Sequence, residues 1–247
     1  MSLRSVLLTL VLTAVPPAFA SDRSVIRPTD GLLADSAILP SGGSLRASAG
    51  GGAMTQPDTT DADSLASVSA SLLWAPLPRL AAKVSGTLEG GRLSPSASLR
   101  YQLLSEDTLP LNLTLGARLM AVGMEGRGSE VMLTLAAGRT WGRLSATGQL
   151  ALGQGFNGRY ENDVEASSLL LVHLSDSFRV GAEARLRFEV EDEDTPGDVG
   201  RLYELMAGPS AALRLEPFEL QALIGWSAPR ALLPAGVAGM ALLSLDL

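Results

Sequence analysis

Phe178-Arg179-Val180-Gly181-Ala182-Glu183-Ala184-Arg185-Leu186-Arg187-Phe188-Glu189-Val190 is the stretch that decides the fold. Successive side chains of an extended strand point to opposite faces. Phe178, Val180, Ala182, Ala184, Leu186, Phe188 and Val190 therefore share one face, and Arg179, Gly181, Glu183, Arg185, Arg187 and Glu189 share the other. One face is wholly apolar and the other holds every charge.

The same period of two recurs on both sides of this stretch, between clusters of Gly, Pro, Asp, Asn and Ser that read as turns. Upstream, Ala66, Val68, Ala70, Leu72 and Trp74 oppose a row of serines, and Leu80, Ala82, Val84, Gly86 and Leu88 oppose Lys83, Ser85 and Thr87. Further apolar rows run through residues 93–101, 109–121, 131–137 and 144–152, and downstream through 205–215, 218–226 and 237–247. Residues 44–54 form a weaker, Gly-rich first strand, and 164–174 an eighth whose Leu169-Leu170-Leu171-Val172 run also suits a buried helix. The apolar rows carry no Asp, Glu, Arg or Lys, while the opposite rows carry most of the strand charge.

Twelve antiparallel strands of about 9 to 11 residues match a bacterial transmembrane barrel, which uses even strand numbers. A soluble β-sandwich also has one apolar and one polar face, so two further features decide. Connection length alternates: residues 55–63, 122–130, 154–163 and 191–201 are long, whereas 75–78, 140–142, 175–177 and 216–217 are tight, with 89–92 a short member of the first set. Aromatic rings cluster at the strand ends, where membrane interfaces attract them. Trp74, Tyr101, Trp141, Phe178 and Phe218 lie at the tight turns, and Phe188, Tyr203 and Trp226 near the long loops, leaving Phe156 and Tyr160 in a loop. The expected fold is all-β, a closed antiparallel up-and-down transmembrane β-barrel.

Residues 1–20 combine Arg4, an apolar run over 6–15, a Pro16-Pro17 break and Ala18-Phe19-Ala20, the layout of a cleaved secretory signal. The expected domains are this signal, a periplasmic N-terminal lead-in over 21–43, and the barrel over 44–247. The mean hydropathy is +0.23 without any mature run of apolar residues long enough for a spanning helix. A formal charge of −7 argues against a nucleic-acid partner. The absence of Cys excludes disulfides and thiolate chemistry.

On these alternating rows the chain resembles bacterial outer-membrane β-barrel proteins, as a small porin-like barrel over residues 44–247. The closing residues 239–247 resemble the C-terminal signal read by the barrel-assembly machinery, although such signals usually end in Phe or Trp and this one ends in Leu247. Residues 37–44 resemble the lead-in to a first strand. The resemblance implies the outer membrane as location, with membrane lipid, lipopolysaccharide and the barrel-assembly machinery as partners, and envelope proteins as further candidates.

The expected lumen lining is Arg100, Arg118, Arg143, Arg179, Glu183, Arg185, Arg187, Glu189 and Arg214, joined by Arg46, Lys83, Glu204 and Glu219. An arginine-rich wall favours anionic solutes, as rings of like charge do, whereas pairing of Arg with Glu would close the interior. Two functions follow: passive passage of small, in the finer reading anionic, solutes, or a non-conducting anchoring barrel of a trans-envelope machine for adhesion, secretion or surface gliding motility. No enzyme, cofactor or metal is expected. His173 reads as an inward histidine without a Ser and Asn to complete a lipid-cleaving trio, and the acidic run 191–194 with Asp198 as a solvated outer loop lacking the ligand order of a calcium site.

Overall fold

The structure, a computed structural model, describes residues 32–55, 65–89, 92–107, 109–121, 129–156, 162–190, 203–228 and 236–247. Twelve strands follow one another: β1 (Leu45–Thr55), β2 (Leu65–Leu77), β3 (Leu80–Glu89), β4 (Arg92–Leu104), β5 (Asn112–Ala121) and β6 (Ser129–Trp141), then β7 (Leu144–Phe156), β8 (Asn162–His173), β9 (Phe178–Val190), β10 (Tyr203–Leu215), β11 (Phe218–Ala228) and β12 (Gly236–Asp246). Each pairs antiparallel with its sequence neighbours, and β1 pairs with β12, so the sheet is a closed up-and-down barrel. Closure pairs the backbone donors and acceptors of every strand and leaves no open sheet edge.

The register places the two rows of each strand as the period predicts. Leu150 opposes Leu135 on one side and Ala166 on the other, and Leu186 opposes Ala166 and Leu205. These outward rows stay open: Val68, Leu99, Leu119, Leu133, Leu152 and Val237 are all exposed. Adjacent residues on β11 show the contrast most sharply, with inward Leu223 1% exposed and outward Ile224 67%. An apolar band on the outside and buried side chains on the inside are the arrangement a bilayer covers, not one that a packed protein interior explains.

The aromatic side chains sit at the rims. Trp74, Tyr101, Phe178 and Phe218 are exposed at the tight-turn end, and Phe188 and Trp226 at the long-loop end. Trp141 joins the tight-turn group with the Arg139 guanidinium 5.4 Å from its ring centroid, a cation–π contact on the outward face. Phe156, which sequence places in a loop, is the last residue of β7 and is exposed.

β8 is a strand despite its apolar run. Its inward Leu169 and Leu171 are buried against Ala34, so over residues 169–172 both faces are apolar and the alternation disappears, as it does for any strand covered on both sides. β5 begins at Asn112 and not at Leu109, because residues 109–111 form bends after the β4 connection.

Replacing Leu150, central in β7, by Arg is expected to cost about 2–4 kcal/mol of stability in lipid vesicles. The same change at an exposed site of a water-soluble protein would stay within about 0.5 kcal/mol. Equilibrium unfolding in vesicles, followed by the gel shift between folded and boiled protein, measures the difference.

Candidate functional site

The inward rows and residues 32–43 together form the candidate site. Where the sequence reading has a periplasmic lead-in over 21–43, the structure carries the described part, from Leu32 onward, into the lumen. The chain turns in at the tight-turn mouth, where Gly43 N donates to Ala75 O at 2.7 Å and Ser44 N and Oγ both donate to Ser41 O. Gly43 has φ +85°, a conformation glycine adopts at little cost.

Inside, wall side chains take hold of this segment. The Thr114 hydroxyl donates to Ala37 O at 2.7 Å, Gln149 Oε1 accepts from Asp35 N at 2.8 Å, and Glu183 Oε2 accepts from Leu33 N at 2.8 Å. The Asp35 carboxylate lies 3.7 Å from Arg100 Nη1 and 3.8 Å from Lys83 Nζ. Leu39 packs with Leu73, Ala75 and Ala81, Ala34 with Leu169 and Leu171, and Leu33 with Met206, Leu223 and Ala238. Gly138 makes room for the segment, since a Cβ there would lie 3.0 Å from the Cβ of Ala37.

Two charged layers flank this middle level. At the tight-turn end, Arg46 pairs with Asp246 at 2.7 Å, Asp246 with Arg214 at 2.6 Å, and Glu219 with Arg214 at 3.9 Å and Arg179 at 2.9 Å. This chain of ion pairs links β1, β12, β10, β11 and β9. Toward the long loops, Arg187 pairs with Asp163 and lies 3.8 Å from Glu130, while Arg118 Nη2 approaches Met132 Sδ at 3.2 Å.

The expected lining residues meet different fates. Arg100, Arg118, Arg179, Glu183, Arg185, Arg187 and Arg214 lie on inward strand positions. Arg143 does not: it is exposed in the turn before β7, beyond the end of the wall. The side chains of Glu189, Glu204 and Tyr203 lie outside the described residues, as do the signal segment, Tyr160 and the acidic run 191–198. His173 Nε2 is 3.1 Å from Ser145 Oγ. Glu130, Asp163 and Asp246, the acids that neutralise the wall, were missed because the sequence reading weighted the arginines; inward parity on β6, β8 and β12 was the available signal.

A closed twelve-strand barrel with an apolar outside and a charged inside defines the class: a porin-like barrel. No family model matches the chain, and no curated protein does. Solved structures do. The NanC porin is similar with a TM-score of 0.65 at 8% identity, over 81% of this chain and 100% of that one. The KdgM porin gives 0.55 at 8%, over 81% and 99%. An outer membrane channel from Pseudomonas putida F1 gives 0.52 at 9%, over 85% and 97%. At such identities the likeness is one of fold.

Arg179→Ala is expected to destabilise the barrel by about 3 kcal/mol, because Glu219, 2% exposed, loses its nearest cation while remaining buried. Adding Glu219→Gln should restore much of the loss. Denaturant midpoints of the two variants in the same detergent measure the coupling.

Proposed function

We propose that this protein is an outer-membrane barrel through whose lumen small solutes pass passively. The observation that carries the reading is the combination of an exposed apolar exterior with a charged interior on a closed barrel of porin type. The first suits a bilayer, and the second suits water and polar solutes. Membrane lipid and lipopolysaccharide would cover the outside, and the barrel-assembly machinery would insert it after export by the cleaved signal of residues 1–20.

Anion preference is the finer part of the proposal. It rests on the arginines of β9, Arg179, Arg185 and Arg187, and it is moderated by Asp163, Glu130 and Glu219, which pair with two of them. One observation favours the second reading, a non-conducting anchoring barrel: residues 32–40 lie in the lumen.

Ion conductance in planar bilayers separates the two. The purified, folded protein is measured as the full chain and with Asp35→Ala, which removes the segment's carboxylate from Lys83 and Arg100. Discrete conductance steps in either support the channel, and silence in both favours the anchor. In a conducting protein, Arg185→Glu with Arg187→Glu is expected to lower or reverse the anion-to-cation permeability ratio, read as the reversal potential in a salt gradient. An unchanged ratio would remove the anion preference and leave the channel standing.

A further inference from the structure

The segment 32–40 is gripped in a way that differs from every strand of the wall. Its backbone is held by side chains, Glu183 on Leu33 N, Gln149 on Asp35 N and Thr114 on Ala37 O. Such bonds break without opening any rung of the barrel ladder. Its single acidic side chain sits at ion-pair distance from two cations, Lys83 and Arg100, close enough to be held and too far for a short hydrogen bond.

The wall beneath it is matched to it. Leu73, Leu169, Leu171, Met206 and Leu223 occupy inward positions that a water-filled pore gives to polar residues. Each is covered by Leu39, Ala34 or Leu33 of the segment. An accidental occupant would not meet apolar wall with apolar side chains at three separate places and set its carboxylate between two cations, Lys83 and Arg100. At its C-terminal end the segment joins β1 through Gly42-Gly43, with Gly43 at φ +85° and no atom within 4 Å of where its Cβ would be. Gly43 is the hinge point, since its backbone holds a conformation that other residues reach at a cost, and Gly42 beside it packs against Pro78, where a Cβ would lie 2.9 Å from Pro78 Cδ.

We propose that residues 32–40 are the closing element of the channel: seated, they obstruct the lumen, and solutes pass when the segment swings out about Gly43 on the tight-turn side. The gate rests on the channel reading above.

The absence of Cys from the sequence allows a clean test in the full chain. Ala37→Cys with Gly138→Cys places one thiol pair where the two Cβ positions are 3.0 Å apart, about 0.5–1 Å short of ordinary disulfide spacing. Oxidant is expected to cross-link the pair in the folded protein, to reduce the open fraction in planar bilayers about tenfold or more, and to do so reversibly with reductant. Leu33→Ala with Asp35→Ala alters only the segment and leaves the wall untouched. It should raise the open fraction about tenfold over the parent, with the folded gel mobility retained.

A pair that does not cross-link would overturn the gate by showing the segment elsewhere. So would a cross-linked protein that conducts like its reduced form, or an unlatched variant that opens no more than the parent; in these cases the channel itself stands. Silence of parent, reduced and unlatched proteins alike would instead remove the channel reading, and the gate with it.

Discussion

Pairing of β1 with β12 is the contact on which the rest of the structure depends. Without water in the surrounding medium, an unpaired backbone N–H or C=O has no substitute partner, so an open twelve-strand sheet is not an option in a bilayer. The joint is made by the least favourable strand of the set. β1 carries Gly50-Gly51-Gly52, which offer no side chains to pack. Ten consecutive register positions from Arg46↔Asp246 to Thr55↔Val237 compensate, and the Arg46–Asp246 pair with the Ser48–Ser244 hydroxyl contact at 2.9 Å pins the inward edge of the joint. Asp246 also holds Arg214. The carboxylate that closes the barrel is thus the start of the charged layer that crosses to β9.

That layer changes what an arginine-rich lumen means. Rings of like charge create a field that concentrates counter-ions, but an arginine lying 2.9 Å from a buried carboxylate contributes a dipole more than a charge. Arg179 is of this kind, Arg187 is paired with buried Asp163, and Arg46 and Arg214 share the half-buried Asp246. Their chief work is mechanical: they tie neighbouring and next-neighbour strands together across the inward face. Selectivity, where the lumen conducts, then comes from the balance of the layers and not from a tally of cations.

Sequence alone disclosed the fold because the period of two is a local signal and a bilayer imposes it on every strand. Phe178–Val190 shows it without exception, and its bounds coincide with β9. The eighth strand was harder to read: Leu169 and Leu171 are inward but covered by Ala34, a partner more than a hundred positions away that no local pattern reveals. The lumen was legible in parity and not in pairing. Which acid meets Arg214 depends on register across β10, β11 and β12, and Asp246 comes from a strand whose other inward members are Gly236, Ala238, Met240, Leu242 and Ser244. Residues 32–40 carried no period at all, and their place inside the barrel follows from hydrogen bonds to Glu183, Gln149 and Thr114 on three different strands. Arg143 shows the converse error, since correct parity says nothing about whether the wall still exists at that height.

The inward apolar residues supply the remaining step. Outside the barrel an apolar residue needs no explanation beyond the acyl chains, which accept any of them. Inside, a leucine facing water would give up a stabilisation of about 1.5–3 kcal/mol, and selection for an open aqueous pore has no use for it. Leu223 and Ile224 are chemically near-equivalent neighbours, yet one is sealed and the other bare; the sealed one needs a specific cover, and Leu33 is that cover. Inward apolar positions in a barrel of this type therefore read as the footprint of something that occupies the lumen. Here the footprint spans β2, β3, β8, β10, β11 and β12 and is filled from one end of the same chain. An occupant supplied in cis needs no partner to find it and stays at high effective concentration when displaced. The barrel and its contents are encoded together, as a wall and the segment that fits it.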